Sequence, residues 1–429
     1  AFMNAELAQG IVQIVGGFIL LAVTLQVVVM LVSSLRRREI ENKQQNLSLE
    51  ALRLNVNTAL VAYNFEKAHV EQGWNGYRKF EIMRKVLEVE GIHSFYLAPH
   101  DGKPLPPFLP GQYLTFELKI PGESKPVIRC YSLSDSPNYP DYYRVSIKKI
   151  PPPRDDPDGQ PGRSSSFFND VLVEGDIVDA KAPSGHFYLK QRELPTVLIG
   201  GGIGITPVLS MLNTLCEQEH KGEVWFFLGV RNSAEHFFKD HLETLDRAHE
   251  NLHLRICYSN PLEEDQEGGD YHHKGYVSID LFKDLLPSNN YEFYICAGPP
   301  MMESIVSGLY DWGVPEDRVH FEAFGKATVK KAAKKPAEDE QASAAEISVT
   351  FERSDKTLKW DSNAESLLDF AEDNDISLDC ACRSGNCGTC LTAIKSGKTD
   401  YVVEPGFAAE DGTCLTCISV PKEDLTLDA

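Results

Sequence analysis

The alternation of apolar and polar positions first sets apart the N-terminal stretch. Residues Ile11–Leu35 are almost continuously apolar, and three arginines, Arg36–Arg38, follow them at once. At 1.5 Å per helical residue, this run is long enough to cross a hydrocarbon layer of about 30 Å. Because the basic residues follow the apolar run and do not precede it, the pattern predicts an uncleaved transmembrane anchor over residues 1–38. The later residues are then cytoplasmic, and the protein is a single-pass protein of the inner (cytoplasmic) membrane.

The next segment, residues 39–73, has apolar positions at helical spacing. They form one stripe, made of Leu49, Leu52, Val56, Leu60 and Tyr63. This spacing predicts a juxtamembrane helix and tether. The stripe is compatible with contact to the bilayer, to a partner helix or to the following domain.

From residue 74 the pattern changes to short β-strands separated by turn residues. The predicted strands are Phe80–Leu87, Ser94–Leu97, Tyr113–Leu118, Val127–Leu133 and Tyr143–Lys148. This arrangement predicts an antiparallel β-barrel over residues 74–193. A loop rich in Pro and Asp comes next, then Gly162-Arg-Ser-Ser-Ser166 and a predicted helix, Phe167–Val173. Small hydroxyl residues at a helix start are suited to binding phosphate and also serve as ordinary helix caps.

Residues 194–325 show the alternation of an α/β domain with a parallel sheet. A buried strand, Thr196–Ile199, leads into Gly200-Gly-Gly-Ile-Gly-Ile-Thr-Pro207 and then into a predicted helix, Val208–Glu217. A strand, a glycine turn and a helix together indicate a nucleotide-binding crossover. The Thr-Pro pair departs from the G-x-G-x-x-G fingerprint, which indicates a different branch of that fold. Three more strands are predicted at Val224–Leu228, His253–Tyr258 and Glu292–Cys296.

The last third of the chain begins with a linker of Ala, Lys, Pro and Glu over residues 326–345. This composition cannot build a core and predicts a flexible tether. The domain that follows, residues 346–429, contains Cys382, Cys387 and Cys390 in C-x4-C-x2-C spacing. That spacing is the plant-type ligand run of a [2Fe–2S] cluster. A fourth thiolate has to come from elsewhere, and Cys414 and Cys417 are both candidates.

Composition and charge narrow the classes of function. The formal net charge of −21 disfavours nucleic acid as a partner. The cysteines outside the C-terminal domain are scattered singly, which is typical of a reducing compartment. The histidines show no spacing typical of a metal or haem site.

The C-terminal segment, Ile347–Thr426, resembles a plant-type ferredoxin. The resemblance lies in Cys-Arg-Ser-Gly-Asn-Cys around the first two ligands and in Leu-Thr-Cys at the last. It implies an α+β domain of the β-grasp type. It also implies that Cys417 is the fourth ligand, whereas Cys380 and Cys414 are not ligands.

The preceding region, Trp74–Gly325, resembles the ferredoxin–NADP reductase superfamily, and its short sequence motifs are most similar to those of the reductase half of flavohaemoglobins. The likeness lies in Trp-Asn-Gly-Tyr-Arg, Pro-Gly-Gln-Tyr113, Arg129-Cys-Tyr-Ser-Leu-Ser134, GGGIGITP and Phe321-Glu-Ala-Phe-Gly. It implies that Arg129 binds the flavin phosphate, that Tyr131 and Ser132 contact the isoalloxazine, and that Thr206 and Cys296 line the nicotinamide.

The same resemblance implies the full set of site residues. Flavin contacts are expected from Tyr113, Arg129, Tyr131, Ser132, Ser134 and Phe324, and pyrophosphate contacts from Gly162, Ser165 and Ser166. Nicotinamide nucleotide contacts are expected from Gly201, Gly202, Gly204, Thr206, Pro207, Gly298 and Pro299. The residues expected to act in catalysis are Ser132, Cys296 and Glu322.

The cofactors implied are FAD, NADH and the [2Fe–2S] cluster. FMN stays open because phthalate-type reductases of the same domain order use it. NADPH stays open because Arg231, beside Glu235, could bind a 2′-phosphate. A nicotinamide gives up two electrons together and a cluster accepts one, so a flavin between them explains why both modules share one chain.

Three functions are compatible with this combination. The order of the domains resembles that of the reductase components of multicomponent oxygenases. The predicted anchor indicates that the electron acceptor is itself embedded in the membrane, such as an oxygenase, hydroxylase or desaturase. The first alternative is the NADH-input subunit of a respiratory quinone-reducing complex, whose known example has the two modules in the opposite order. The second alternative is a redox sensor or assembly subunit without catalysis.

Overall fold

The computed structural model describes most of the chain. The described residues are 2–123, 126–152, 159–190, 194–323, 347–361, 364–380, 383, 385, 388–402, 405 and 409–429. The predicted linker, Phe324, Cys382 and Cys387 lie outside them. The chain divides into two units, Ala1–Val70 and Glu71–Ala429.

The N-terminal unit is formed by one helix, α1 (Phe2–Gln72). Its stretch Gly16–Asn46 is long and apolar enough to cross a membrane, with a mean hydropathy of 2.5. A signal sequence near an N-terminus and the core helix of a soluble protein meet the same criteria of length and composition. A helix is present over residues 39–72, since α1 continues without a break from the apolar stretch to Gln72. That this segment lies next to a membrane stays a prediction.

The first sheet of the second unit is six-stranded, and all its pairs are antiparallel. Its order is β4-β3-β6-β1-β2-β5, and its inner face buries a core that includes Phe80, Phe95, Phe116 and Val145. The antiparallel sheet confirms the predicted strand pattern, whereas closure into a barrel stays a prediction. The strands are β1 (Arg78–Val89), β2 (Ile92–Pro99), β3 (Tyr113–Leu118), β4 (Val127–Ser132), β5 (Tyr143–Lys148) and β6 (Ile177–Ala180).

The helix predicted at Phe167–Val173 differs in the structure. A short helix, α2 (Arg163–Ser166), begins earlier and continues as a π-helical turn, Phe167–Val171. The wider turn directs Phe168 into the core, where its ring meets Phe95, Phe116 and Tyr131 edge-on. Packing of this aromatic side chain, and not helix propensity, decides the local backbone.

The second sheet is six-stranded and parallel, in the order β10-β9-β8-β7-β11-β12. Its central strands are apolar on both faces, as expected for a sheet covered on both sides. Alternate residues of β7 (Thr196–Gly201) and β8 (Val224–Val230) belong to two separate cores. The other strands are β9 (Leu252–Tyr258), β10 (His273–Lys274), β11 (Glu292–Ala297) and β12 (Val319–Ala323).

Helices cover the two faces of this parallel sheet. One core contains Val208 and Leu242, from α3 (Ile205–Glu217) and α4 (Lys239–Ala248). The other contains Phe282 and Ile305, from α5 (Ile279–Leu285) and α6 (Pro299–Asp311). The predicted α/β class with a parallel sheet is confirmed.

The C-terminal domain has a five-stranded mixed sheet, in the order β14-β13-β19-β15-β17, with one helix packed on it. Ser366 caps this helix, α7 (Leu367–Asp373), by accepting a hydrogen bond from the Asp369 amide. The mixed sheet with one helix agrees with the predicted α+β domain. The strands are β13 (Ser348–Phe351), β14 (Lys356–Lys359), β15 (Leu391–Ser396), β16 (Thr399–Tyr401), β17 (Thr413–Leu415), β18 (Ser419–Pro421) and β19 (Leu425–Leu427).

Candidate functional site

The site begins at the end of β4, where residues alternate between the two faces of the strand. Arg129 and Tyr131 share one face, and Ser132 pairs with Tyr113 across to β3. The Tyr131 hydroxyl lies 2.8 Å from the Ser164 hydroxyl, and its ring packs edge-on against Phe168. Burial raises the pKa of Tyr131 to about 12, so the phenol stays protonated. The ring is thus held in one orientation beside Arg129.

Arg129 lies in an excess of positive charge. Burial lowers its pKa, and the neighbouring Arg383, followed by Arg163, lowers it further. Arg163 is paired with Glu123, and Arg383 with Glu372. Arg129 has no ion-pair partner in the described part of the chain; its Nη1 donates to the Ile128 carbonyl at 2.7 Å. A partly buried guanidinium in this environment fits an anionic phosphate group.

The loop that opens α2 holds the three residues predicted to contact a pyrophosphate. Ser165 is occupied within the loop, because its hydroxyl donates to the Gly162 carbonyl and accepts from the Ile150 amide. The Ser166 hydroxyl, by contrast, is buried and has no hydrogen-bond partner among the described residues. This hydroxyl lies in the same short helix as Ser164, the contact of Tyr131, and an unsatisfied donor there fits a ligand oxygen.

Two other residues predicted to contact the flavin are buried in the sheet. Ser134 is fully buried, and its hydroxyl lies 2.9 Å from the Ser146 hydroxyl and 3.3 Å from the Arg144 carbonyl. Tyr113 is also buried, with its ring against Gly185, where a Cβ would approach within 2.9 Å. The structure therefore brings Arg129, Tyr131, Ser132 and Ser166 to one region, while Ser134 lies inside the sheet.

The glycine turn after β7 is pressed against the end of β11. A Cβ on Gly204 would lie 2.1 Å from the Cys296 carbonyl oxygen, and one on Gly201 would lie 2.7 Å from the Ala297 Cβ. Gly202 differs: its φ is +53°, and a Cβ there would meet nothing within 4 Å. The turn thus leaves open space beside its backbone at Gly202, which fits the close approach of a nucleotide.

The start of α3 fixes this turn. Thr206 is buried and donates its hydroxyl to the Ile203 carbonyl at 3.0 Å, and Pro207 is buried in the same helical turn. On the other side, α6 begins at Pro299, directly after Gly298, and a Cβ on Gly298 would also meet nothing within 4 Å. The residues predicted to contact the nicotinamide nucleotide thus flank one edge of the parallel sheet, at the carboxyl ends of its strands.

Cys296 and Glu322 pair in register on the adjacent strands β11 and β12. Cys296 is fully buried, and burial, followed by the charge of Glu322, raises the pKa of its thiol well above the ordinary value of 9.0. The sulfur is therefore a neutral thiol at physiological pH, and it packs in the apolar core between α3 and the parallel sheet. Glu322 is 7% exposed.

The candidate cluster ligands in the described part of the chain are Cys390 and Cys417. Both are buried, and their Sγ atoms lie 3.1 Å apart. Cys414 belongs to a different core, beneath α7, where burial raises its pKa to about 12. Adjacent thiols fit two ligands of one cluster, and this favours Cys417 over Cys414 as the fourth ligand. The described residues hold no group of three metal-ligating side chains.

The cluster-binding loop has strained and crowded backbone positions. Gly385 has φ +73°, and a Cβ there would lie 2.4 Å from the Ile418 Cδ1. Arg383 also has a positive φ, +54°. Because Ile418 directly follows Cys417, Gly385 lets the loop lie directly over the fourth candidate ligand.

Comparisons with known proteins agree with this geometry. Residues 198–307 match the family described as oxidoreductase NAD-binding domain, and residues 349–422 match the 2Fe-2S iron-sulfur cluster binding domain. The flavohem-like FAD/NAD binding domain of nitric oxide dioxygenase from Vibrio cholerae is 31% identical, with a TM-score of 0.51. The match covers 58% of this chain and 98% of that domain. The chain belongs to this family of FAD/NAD-binding reductase domains.

The joined 2Fe-2S domain makes the chain an oxidoreductase with two redox modules. A flavohemoprotein from Bacillus thuringiensis subsp. konkukian is 42% identical over 263 residues, which are 61% of this chain and 64% of that protein. The chain thus spans less than two thirds of that relative. Phthalate dioxygenase reductase is 25% identical with a TM-score of 0.53, covering 82% of this chain and 98% of that structure. The predicted membership of the reductase superfamily and the fused 2Fe-2S domain are confirmed.

Two residues near the site were missing from the predicted set. Ser164 is the serine that contacts Tyr131, although no sequence signal distinguishes it from Ser165 and Ser166. Arg383 acts on the pKa of Arg129 although the two residues are far apart in the chain. The arginine between the first two cluster ligands was visible in the sequence, but its neighbour in the fold was not.

Proposed function

We propose that this protein is a membrane-anchored NADH-dependent reductase that passes electrons from NADH through FAD and a [2Fe–2S] cluster to a membrane-bound oxygenase, hydroxylase or desaturase. The observation that carries the proposal is the joining, in one compact unit, of a FAD/NAD-binding reductase fold with a 2Fe-2S domain. The position of Arg383 supports it, because a residue of the cluster loop lies close enough to affect Arg129 on β4.

The residues of this chain have separate tasks in that proposal. Arg129 and Ser166 bind the flavin phosphates, and Tyr131, fixed by Ser164, packs against the flavin ring. The open space at Gly202 admits the nicotinamide nucleotide, and Cys296, buried beneath the glycine turn, fixes the end of β11 beside it. Flavin held by these residues would supply the conversion of a two-electron hydride into the single electrons that a cluster takes up. Cys382, Cys387, Cys390 and Cys417 hold that cluster.

We favour FAD over FMN because the relative named above is described as an FAD/NAD binding domain. We favour NADH over NADPH because the loop after β8 has a single arginine, Arg231, and an acid, Glu235. The nearby Lys148 forms an ion pair with Glu235, with 3.3 Å between Nζ and the carboxylate. The positive charge of Lys148 is therefore already balanced and does not add to a site for a 2′-phosphate. Chromatography of the released flavin and the ratio of kcat/KM for the two nucleotides test these choices.

The proposed acceptor follows from α1. The apolar run Ile11–Leu35 and the arginines that follow it, Arg36–Arg38, support an anchor with the reductase on the cytoplasmic side. A reductase held at the bilayer is suited to a partner that is itself in the membrane. Purification of the anchored protein with its partner tests this: an oxygenase in the complex supports the proposal, whereas a quinone-reducing complex contradicts it.

The electron route is tested with Cys387→Ser in the full chain. Loss of a cluster ligand should abolish transfer to the membrane acceptor while NADH still reduces ferricyanide, which takes electrons from flavin directly. The hydride step needs only the two nucleotide sites, to which the cluster contributes no contact. Full-rate reduction of the membrane acceptor by the variant would show that the cluster is not the outlet. Absence of NADH-dependent ferricyanide reduction in the unmodified protein would refute the reductase function itself.

A further inference from the structure

A polar contact joins the strand of the flavin motif to the helix of the nicotinamide turn. The Ser210 hydroxyl donates to the Asp135 carbonyl at 2.6 Å, and the Asn213 amide donates to the Asp135 carboxylate at 2.9 Å. One turn further along α3, Glu217 accepts from the Asn138 amide at 2.6 Å and from the Ser136 hydroxyl. Residues 210, 213 and 217 lie on one face of α3. Three successive turns of this helix are therefore fixed to residues 135–138, which we call the clamp loop.

The charge of Asp135 is balanced inside this contact. Arg144 on β5 is 8% exposed, and its Nη1 lies 3.3 Å from the Asp135 carboxylate. The guanidinium also packs over the ring of Phe238, at 5.1 Å from the ring centre. Buried opposite charges of this kind are costly to separate and allow few alternative arrangements. The clamp loop is therefore held in one place relative to β5.

The clamp also reaches the next helix of the parallel-sheet domain. The Asn213 side-chain oxygen lies 2.8 Å from Nε2 of His241 on α4. Since the Asn213 amide group donates to Asp135, its oxygen accepts and His241 Nε2 is the donor. Burial, followed by the charge of Arg144, lowers the pKa of His241. The imidazole is thus neutral at physiological pH, with its one N–H directed to Asn213.

We propose that Asp135 and Asn213 are positioning residues for hydride transfer, because they set the nicotinamide turn relative to the flavin motif. The clamp loop starts six residues after Arg129 on the same strand and turn, and α3 starts at the glycine turn. A displacement of the clamp loop relative to α3 therefore changes the position of the flavin site relative to the nicotinamide site. This inference rests on the proposed function. It adds to that function a pair of residues that contact neither cofactor.

Polar fixation has a consequence that apolar packing would not have. Apolar surfaces that face each other tolerate small displacements, whereas hydrogen bonds between buried groups are lost when the groups move by about 1 Å. Hydride transfer is sensitive on the same scale, because a misplacement of about 1 Å can cost on the order of 100-fold in rate. The clamp thus has the stiffness that the reaction requires.

The test compares Asn213→Leu with Thr214→Val in the full-length holoprotein. Leucine keeps the approximate volume of Asn213 and removes both of its polar contacts across the clamp. Thr214 is equally buried on the same helix, and its hydroxyl donates only to the Ser210 carbonyl within α3, so its substitution leaves the clamp intact. We expect Asn213→Leu to slow flavin reduction at saturating NADH by about tenfold or more, and Thr214→Val to leave it within about twofold.

Three further readouts separate positioning from general destabilisation. Flavin content should be unchanged in both variants, and cluster reduction after photoreduction of the flavin should proceed at the unmodified rate. Hydrogen exchange at the amides of residues 135–138 and 205–217 should accelerate in Asn213→Leu alone.

Equal hydride-transfer rates in Asn213→Leu and the unmodified protein would overturn the proposal. Equal slowing in both single variants would also overturn it, because the effect would then follow the stability of α3 and not the clamp. An unmodified protein that fails to reduce its flavin with NADH would instead refute the proposed function, so the two failures are distinct.

Discussion

At the scale of single residues, burial determines which sulfur atoms can act as ligands or nucleophiles. Cys216, Cys257 and Cys414 lie in apolar cores, and burial raises the pKa of each thiol to about 12. Such thiols stay protonated and behave as small apolar side chains. Cys390 and Cys417 are also buried but face each other. A sulfur pair at this distance fits two ligands of one metal cluster.

This difference gives a prediction about the fourth cluster ligand. Cys417→Ser should lose the visible absorption and the reduced-state EPR signal of the [2Fe–2S] cluster, because serine is a poor substitute for a thiolate ligand. Cys414→Ser should keep both spectra and lose only about 1 kcal/mol of stability through the buried hydroxyl. Each variant replaces one thiol by a hydroxyl, and the two positions are only three residues apart, so each variant is a control for the other. A cluster that persists in Cys417→Ser and disappears in Cys414→Ser would reverse the assignment.

His236 gives a prediction about pH. Burial lowers its pKa from 6.5 to about 4. Nδ1 lies 2.8 Å from the Tyr258 hydroxyl, and Nε2 has no hydrogen-bond partner among the described residues. Below pH 6.5 the unfolded chain binds a proton that the folded protein does not bind, so stability falls as the pH decreases from 6.5 towards 4 and is unaffected above 6.5. The full loss is about 3 kcal/mol, with about 1 kcal/mol already lost near pH 5.5.

The measurement is the urea midpoint of the full-length protein and of His236→Asn at several pH values. The asparagine oxygen can replace Nδ1 as the partner of Tyr258 but does not titrate in this range. The difference between the two proteins should therefore shrink or reverse as the pH falls from 7 to 5. A difference that is independent of pH would show that His236 is protonated equally in both states.

At the scale of secondary structure elements, the glycine turn shows two separate reasons for a glycine. Gly204 has no room for a Cβ because the Cys296 carbonyl oxygen would lie 2.1 Å away, whereas Gly202 has room but a φ of +53°. Gly204→Ala should displace β11 and cost about 1–3 kcal/mol or more. Gly202→Ala should cost only about 1 kcal/mol, the strain of a left-handed residue. Thermal unfolding of the two variants measures the difference, and equal costs would contradict the close contact.

The elements also show how far local sequence signals reach. Two strands, Tyr113–Leu118 and Tyr143–Lys148, have the predicted bounds, because alternation and turn residues define them locally. The helix predicted from Val208 begins at Ile205, since proline is tolerated in a first helical turn, where amides have no partner within the helix. The helices α4 to α6 were not predicted. Their faces are specified by a sheet assembled from strands distant in sequence.

The same limit applies to the site. The cysteine spacing, the arginine–tyrosine–serine motif and the glycine turn after β7 predicted the three modules, because these residues carry their chemistry in short segments. The contact between Asp135 and Asn213 joins positions 78 residues apart, and no local pattern indicates it. Likewise, only the folded chain shows that Ser134 lies inside the sheet and that Tyr131 meets Ser164. Long-range packing is the part that the sequence alone could not provide.

At the scale of the whole molecule, the apolar stretch of α1 is the feature on which the proposed membrane anchor rests. Large side chains along it are exposed in the structure, among them Phe18 at 69%, Leu20 at 71% and Leu21 at 67%. Transfer of each such side chain out of water is favourable by about 1.5–3 kcal/mol. Soluble proteins rarely leave a continuous apolar surface of this size in water. In the proposed function, insertion into a bilayer would remove this whole surface from water at once.

We therefore expect the full-length protein to sediment with membranes, to resist alkaline carbonate and to dissolve only in detergent. A variant without residues 2–46 should be soluble and should reduce ferricyanide with NADH at the unmodified rate, because the nucleotide sites lie wholly in the unit Glu71–Ala429. The same variant should lose activity towards the membrane acceptor at low protein concentration, because the anchor no longer holds the two together. Protease added outside intact cells should leave the reductase uncut. Recovery of a shortened, soluble protein from cells expressing the full chain would show instead that the stretch is a cleaved signal sequence.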